Sequence, residues 1–287
     1  MGEYEIPLVI FTVFSQWAVG IIIAIVLLEW IKPNYMNTKG KQVLKISIFI
    51  AFGLSIFATL ASMLHLNNPL KGYTSLFGLG SSWLSREIIG VILFNICLIG
   101  LTYIWWKKID QDRLRRIIGT LTALLGIILV VSSAIVYFSI RLHPTWHNWT
   151  TFANFLLTGL LLGALTVIFF VLRAKQTDVD DSVKKLLSVY LSFTIIALLI
   201  TIGSSAIISN GAMEAQMAAT ISFTSVLFWV RILGSLLIPA TLVIYMVVGK
   251  SSATVKYILA TTTFVLIGEL SGRAMFYYSV MSQYPWF

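Results

Sequence analysis

Residues 43–69 read VLKISIFIAFGLSIFATLASMLHLNNP. Past Lys45 the stretch carries no charge for about twenty residues, and it then gives way to a polar turn at His65. About twenty apolar residues in a helix cross roughly 30 Å of hydrocarbon. Stretches of this kind recur along the whole chain. Hydrophobic residues make up 58% of the 287 residues and charged residues 11%, where soluble domains carry about a quarter charged residues. The gaps between apolar runs are too short to bury a core of their own. The fold class expected is an all-α integral membrane protein, a single transmembrane domain over residues 1–287.

Eight spanning helices are expected, near 6–31, 43–65, 83–106, 116–141, 151–173, 184–208, 222–248 and 255–281. Gly159 and Gly163 form a small-xxx-small spacing in the fifth, which suits close helix packing. Orientation follows from the cations. Lys32, Lys39, Lys41 and Lys45 border the first loop, and Lys107, Lys108, Arg113, Arg115 and Arg116 the third. Arg173, Lys175, Lys184 and Lys185 border the fifth, and Lys250 and Lys256 the seventh. These are 15 of the 20 basic residues, and the positive-inside rule makes their side cytoplasmic. Both termini then face outward, to the periplasmic side of a bacterial inner membrane. Trp30, Trp105 and Trp106 fall at the inner interface; Trp83, Trp146, Trp149 and Trp286 fall at the outer one.

Several function classes are excluded or weakened. The net charge of +9 lies in short loops, so it is not a nucleic-acid footprint. The start, MGEYEI, places Glu3 and Glu5 where a cleavable signal peptide needs basic residues, so the first apolar run is expected to be retained as a helix. It also lacks the hydroxyl residue of a myristoylation signal. A lone Cys97 can form no intramolecular disulfide and cannot ligate an iron–sulfur cluster. NWT at 148–150 matches a glycosylation acceptor, a frequent chance pattern. Asp178, Asp180 and Asp181 lie among lysines and read as a solvated loop.

The five remaining cations are Lys71, Arg86, Arg141, Arg231 and Arg273, all in outer loops or outer helix halves. Glu87 lies four or five residues into the third helix. Glu269 lies about 14 residues into the eighth, a climb of about 20 Å from the inner side. With His65, and leaving out Lys71 in its loop, these residues come to similar depth from five helices, and no comparable set is expected at the inner side. Ionisable residues in spans are costly and usually face the bundle interior, so a polar pocket opening outward is expected. Plainer readings exist. Glu269 and Arg273 are four apart and can pair with each other. Arg141 can snorkel. Arg231 lies too deep to snorkel easily. Arg86 and Glu87 are adjacent and must point about 100° apart, so one can face a site while the other anchors. His65 can be interfacial, or can hydrogen-bond a ligand oxygen. A haem b needs two facing histidines, and His143 and His147 flank Pro144 in a short loop, so no haem is expected.

A histidine and a carboxylate near a membrane surface suit quinol oxidation, which needs a partner for the headgroup oxygen and a route for two protons. With no cluster ligands in the sequence, electrons would pass to a protein docked outside. PLVIFTVFSQ near the start, ASMLHLNNPLKGYTSL after the second helix, SSWLSREI, RLHPTW and GELSGRAMFY together resemble the membrane-anchor subunit of the bacterial dimethyl sulfoxide reductase family. The resemblance is spread over nearly the full length. It implies the eight-helix plan, menaquinol as the quinol, and anaerobic respiration. It also implies an iron–sulfur electron-transfer subunit and a molybdopterin catalytic subunit that reduces S- or N-oxides. By the resemblance, His65 and Glu87 bind quinol and Glu87 accepts a proton. Arg86 is expected with them in the quinol-binding set, and Arg141, Arg231, Glu269 and Arg273 are expected to shape the pocket or the docking surface. The competing readings are an anion transporter and a purely structural anchor.

Overall fold

The computed structural model describes residues 5–31, 37–64, 78–175, 181–211, 213–248 and 254–281. His65, Lys71, Lys32, Asp178, Asp180, Lys250 and Trp286 lie outside them. Every regular element among the described residues is helical. In sequence order these are α1 (Ile6–Ile31), α2 (Thr38–Met63), α3 (Trp83–Lys107), α4 (Asp112–Phe138), α5 (Thr150–Lys175) and α6 (Asp181–Ser209). There follow α7 (Met213–Thr224), α8 (Val226–Arg231), a π-helical segment (Ile232–Leu237), α9 (Ile238–Val248) and α10 (Thr254–Met281).

Seven stretches among the described residues are long and apolar enough to cross a membrane: α1 to α6 and the run Val226–Val248. The eighth expected span, α10, has 28 residues and so about 42 Å of length. Lys256, Glu269 and Arg273 dilute its apolar character, and it falls short on composition. The expected helix 222–248 is corrected. Its first residues belong to α7, and the backbone turns at Ser225, whose hydroxyl caps the next helix by accepting from Leu227 N–H at 3.2 Å. A side-chain oxygen that satisfies an orphan N–H makes that point a helix start.

The bundle is built around α1 and α5. In their most apolar windows 72% and 78% of residues are buried, against 28–50% in the other five spans. Glycine makes this crossing possible. A Cβ on Gly20 would stand 1.8 Å from the Gly159 carbonyl oxygen, and one on Gly163 would stand 2.1 Å from the Gly20 carbonyl carbon. Backbones approach this closely only without side chains. The small-residue spacing in α5 therefore packs against α1. Trp17 Nε1–H donates to Thr166 Oγ1 across the same interface at 2.8 Å.

The end of the bundle where α1 finishes and α4 begins holds a set of buried charges that the sequence reading did not expect. Glu29 and Arg115 are both buried. Arg115 Nε and Nη2 each lie 2.7 Å from Glu29 Oε1. Arg115 also donates to the Ile109 carbonyl and pairs with Asp112 at 2.9 Å. Lys41 of α2 reaches Asp112 at 2.9 Å. Arg115 thus leaves the loop population to which its position assigned it. It turns inward because α1 offers it a carboxylate.

Candidate functional site

At the opposite end, α3 begins at Trp83, where the Ser82 side chain accepts the Ser85 N–H. Glu87 follows one turn later, about 6 Å along the helix. Gly90 lies on the same face and lets α3 sit against Leu129 of α4. In that antiparallel register Glu87 meets the residue one turn beyond Leu129. Ser133 Oγ donates to Glu87 Oε1 at 2.5 Å, and both are buried. One turn further along α4, the Tyr137 hydroxyl bonds that of Tyr277 on α10 at 2.8 Å.

Arg273 lies one turn back along α10, with its guanidinium carbon 3.6 Å from the centre of the Phe155 ring. Its Nη2 donates to Gln16 Oε1 of α1 at 2.9 Å. Tyr137, Trp146, Phe155, Phe276 and Tyr277 form one aromatic cluster between α4, α5 and α10. Trp146 enters it from the loop after α4 and donates to the Phe276 carbonyl at 2.8 Å. A guanidinium packed on ring faces is favourably placed where water is scarce.

Glu269 and Arg273 share a face of α10, yet no ion pair within 4.0 Å joins them. Glu269 instead accepts from Thr158 Oγ1 at 2.6 Å and from Ser235 Oγ. This corrects the pairing reading. The two glycines of GELSGR explain how the hydroxyls arrive. A Cβ on Gly268 would stand 2.4 Å from Ser235 N, so the π-helical segment can press against α10. A Cβ on Gly272 would stand 2.3 Å from Arg231 Cδ, so the Arg231 side chain lies across α10 there. Arg231 Nη2 donates to Asn154 Oδ1 at 3.0 Å. π-Helical insertions are rare and are frequent at functional sites.

The expected single outward pocket divides. Glu87, Arg273, Glu269 and Arg231 lie in one polar region on i, i+4 rows of their helices. Arg86 does not join them: it donates to the Leu79 and Gly80 carbonyls and covers the Trp83 ring at 4.3 Å. It ties down the segment before α3 while Glu87 turns inward. Arg141 lies just past α4 and is exposed. His65 lies outside the described residues. A cavity of about 20 Å³ is lined by Glu269, Arg273 and Arg231, and Glu87 does not border it. Gln16, Ser133, Tyr137 and Tyr277 were not foreseen. Their signal was weak but present: polar residues four apart, or four from a charge, inside apolar helices.

The family model described as "DMSO reductase anchor subunit (DmsC)" matches residues 1–278. The protein belongs to this anchor-subunit family. The anchor is 30% identical over 288 residues to a relative from Escherichia coli named as part of its anaerobic dimethyl sulfoxide reductase, with 96% of this sequence and 95% of that one covered. It is 28% identical over 286 residues to a second E. coli relative, the anaerobic dimethyl sulfoxide reductase component YnfH, with the same shares covered. A weaker likeness, 25% over 144 residues, joins it to a component of the sulfite dehydrogenase of Allochromatium vinosum, over 45% of this sequence and 43% of that one. The protein is thus the membrane-embedded anchor of an oxidoreductase complex, a role that implies catalytic and electron-transfer partner subunits.

Proposed function

We propose that this anchor oxidises menaquinol and hands the electrons to a docked iron–sulfur subunit, which feeds a molybdopterin subunit that reduces dimethyl sulfoxide or a related oxide. The observation that carries the reading is Glu87: a buried carboxylate one turn from the end of its helix, held by one hydroxyl. Such a group can accept a proton from a quinol hydroxyl that reaches it. Exposed Met63 and Leu64 at the end of α2, with Trp83 and Leu84 at the start of α3, provide apolar surface for an isoprenoid tail.

In this reading His65 hydrogen-bonds one quinol oxygen and Glu87 takes the proton from the other. Ser133 holds the Glu87 carboxylate in place. Arg86 fixes the entry of α3, and Arg231, Glu269 and Arg273 order the neighbouring helices. Exposed Arg141 belongs to the docking face. Two electrons and two protons leave each quinol. If α10 also spans the membrane, the protein has eight spans and both ends lie on the Glu87 side, the periplasmic side of the inner membrane by the cation distribution. Both protons are then released there, and the anchor itself pumps none.

The test is a fluorescence titration of the purified complex with a tight-binding hydroxyquinoline quinol analogue, using native protein, His65→Ala and Glu87→Gln. Saturable binding weakened by both changes is the expected result. Saturable binding untouched by either would move the quinol site elsewhere.

A further inference from the structure

A second and larger cavity, of about 100 Å³, lies at the same end of the bundle between α5, α6, α7, α8 and α10. It shares Asn154, Arg231, Gly272 and Phe276 with the small cavity that reaches Glu269. The two volumes therefore adjoin, with the Arg231 side chain between them. α7 covers part of the larger one through Ala219, Ser222 and Phe223.

Eight of the seventeen lining residues carry hydroxyls, and what these have left to offer decides the occupant. Thr151, Thr201, Ser204, Ser205, Ser222 and Ser279 all donate their O–H to backbone carbonyls. Toward the cavity they present lone pairs. The buried Arg231 Nε–H has no partner and presents a donor. An anion would meet six hydroxyl oxygens with no proton left to donate, and an apolar tail would strand the Arg231 donor. Water can donate to the hydroxyl oxygens and accept from Arg231. The smaller volume has room for about one water and the larger for several.

We infer that the two cavities form a hydrated vestibule that carries solvent water past Arg231 to Glu269. Glu269, held by Thr158 and Ser235, then has an aqueous contact of its own, through a cavity that Glu87 does not border. The charged groups around it are Arg231 and Arg273.

The test uses the intact complex with Cys97→Ala as background and single cysteines introduced at three sites: Ser205→Cys in the larger cavity, Thr158→Cys beside Glu269, and Leu199→Cys on the exposed face of α6. The probe is the silver ion, small enough for a one-water space, and the readout is protection from maleimide labelling after denaturation. A thiol reacts as thiolate, which forms in water and not in hydrocarbon. Silver is expected to protect Ser205→Cys and Thr158→Cys at least about tenfold faster than Leu199→Cys. If neither is faster than Leu199→Cys, the cavity is dry and the inference falls. If Ser205→Cys alone is fast, the water stops at Arg231 and the inference falls equally. Should Thr158→Cys fail to assemble, Phe155→Cys, which lines the small cavity and not the larger one, replaces it. None of these readouts involves quinol, so the result is independent of the function proposed above.

Discussion

At the Glu29 end of the bundle a carboxylate meets a guanidinium directly, and both are buried. At the Glu87 end Glu87 is held by the Ser133 hydroxyl, Glu269 by the hydroxyls of Thr158 and Ser235, and Arg273 by Gln16 and an aromatic ring. A direct pair neutralises its members and fixes them. Carboxylates and cations that each rest on neutral partners can bind a ligand, or gain and lose a proton, without breaking an ion pair. The first arrangement suits a clamp joining α1 to α4. The second suits a working site, and it is also where the two polar cavities lie.

This contrast can be broken by mutation. The largest effect is expected from Arg115→Ala, which leaves Glu29 buried with only the Arg116 guanidinium, at 3.9 Å, in place of the 2.7 Å pair, at a cost of up to about 3–5 kcal/mol. The Tm of the purified complex would fall, while quinol turnover per folded molecule would stay near native. Replacing both partners, Glu29→Leu with Arg115→Met, should recover most of the loss, because two apolar residues leave no stranded charge.

Glu87→Gln should show the opposite pattern. The amide keeps an oxygen for Ser133, so stability is expected to change by less than about 1 kcal/mol. Quinol oxidation should fall by about 100-fold or more, as removal of a general base does. A variant with native turnover would return Glu87 to a structural role.

A smaller effect is expected from Tyr277→Phe, which strands the buried Tyr137 hydroxyl at a cost of about 1–3 kcal/mol. The double change Tyr137→Phe with Tyr277→Phe removes both hydroxyls and should be close to neutral; thermal unfolding of the three proteins separates these outcomes. The smallest effect belongs to Lys41→Ala. Its partner Asp112 is half exposed, and such pairs contribute about 1 kcal/mol or less. If Lys41→Ala proved as damaging as Arg115→Ala, the clamp at the Glu29 end would be an extended network rather than one pair.

Much of the architecture was legible from apolar run length alone, since a run that spans hydrocarbon must satisfy its backbone internally and therefore be helical. The glycine spacing in α5 announced a close crossing, although nothing in it named α1 as the partner. The polar region was foreseen in Glu87, Arg231, Glu269 and Arg273, because charges are costly in lipid and stand out. Gln16, Ser133, Tyr137 and Tyr277 do not stand out, because uncharged polar residues are common in apolar helices. The Glu29–Arg115 pair was hidden for another reason. Each residue sits near a helix end, where a charged side chain can equally reach water.

What the sequence determined by itself is the class of protein, the place of its long helices though not α7 or the π-helical segment, and the short set of ionisable residues that a membrane interior would not hold without cause. These follow from local composition and from transfer energies that act on each segment alone. Only the tertiary structure decided which partner each charge found. That choice depends on the rotation of one helix against another, and rotation is set by contacts between residues far apart in sequence, such as Gly20 with Gly159, Gly268 with Ser235 and Gly272 with Arg231. A turn of α10 by one residue, about 100°, would carry Glu269 away from Thr158 and Ser235. The separation of the molecule into a closed clamp at one end and an open polar region at the other is therefore a property of packing.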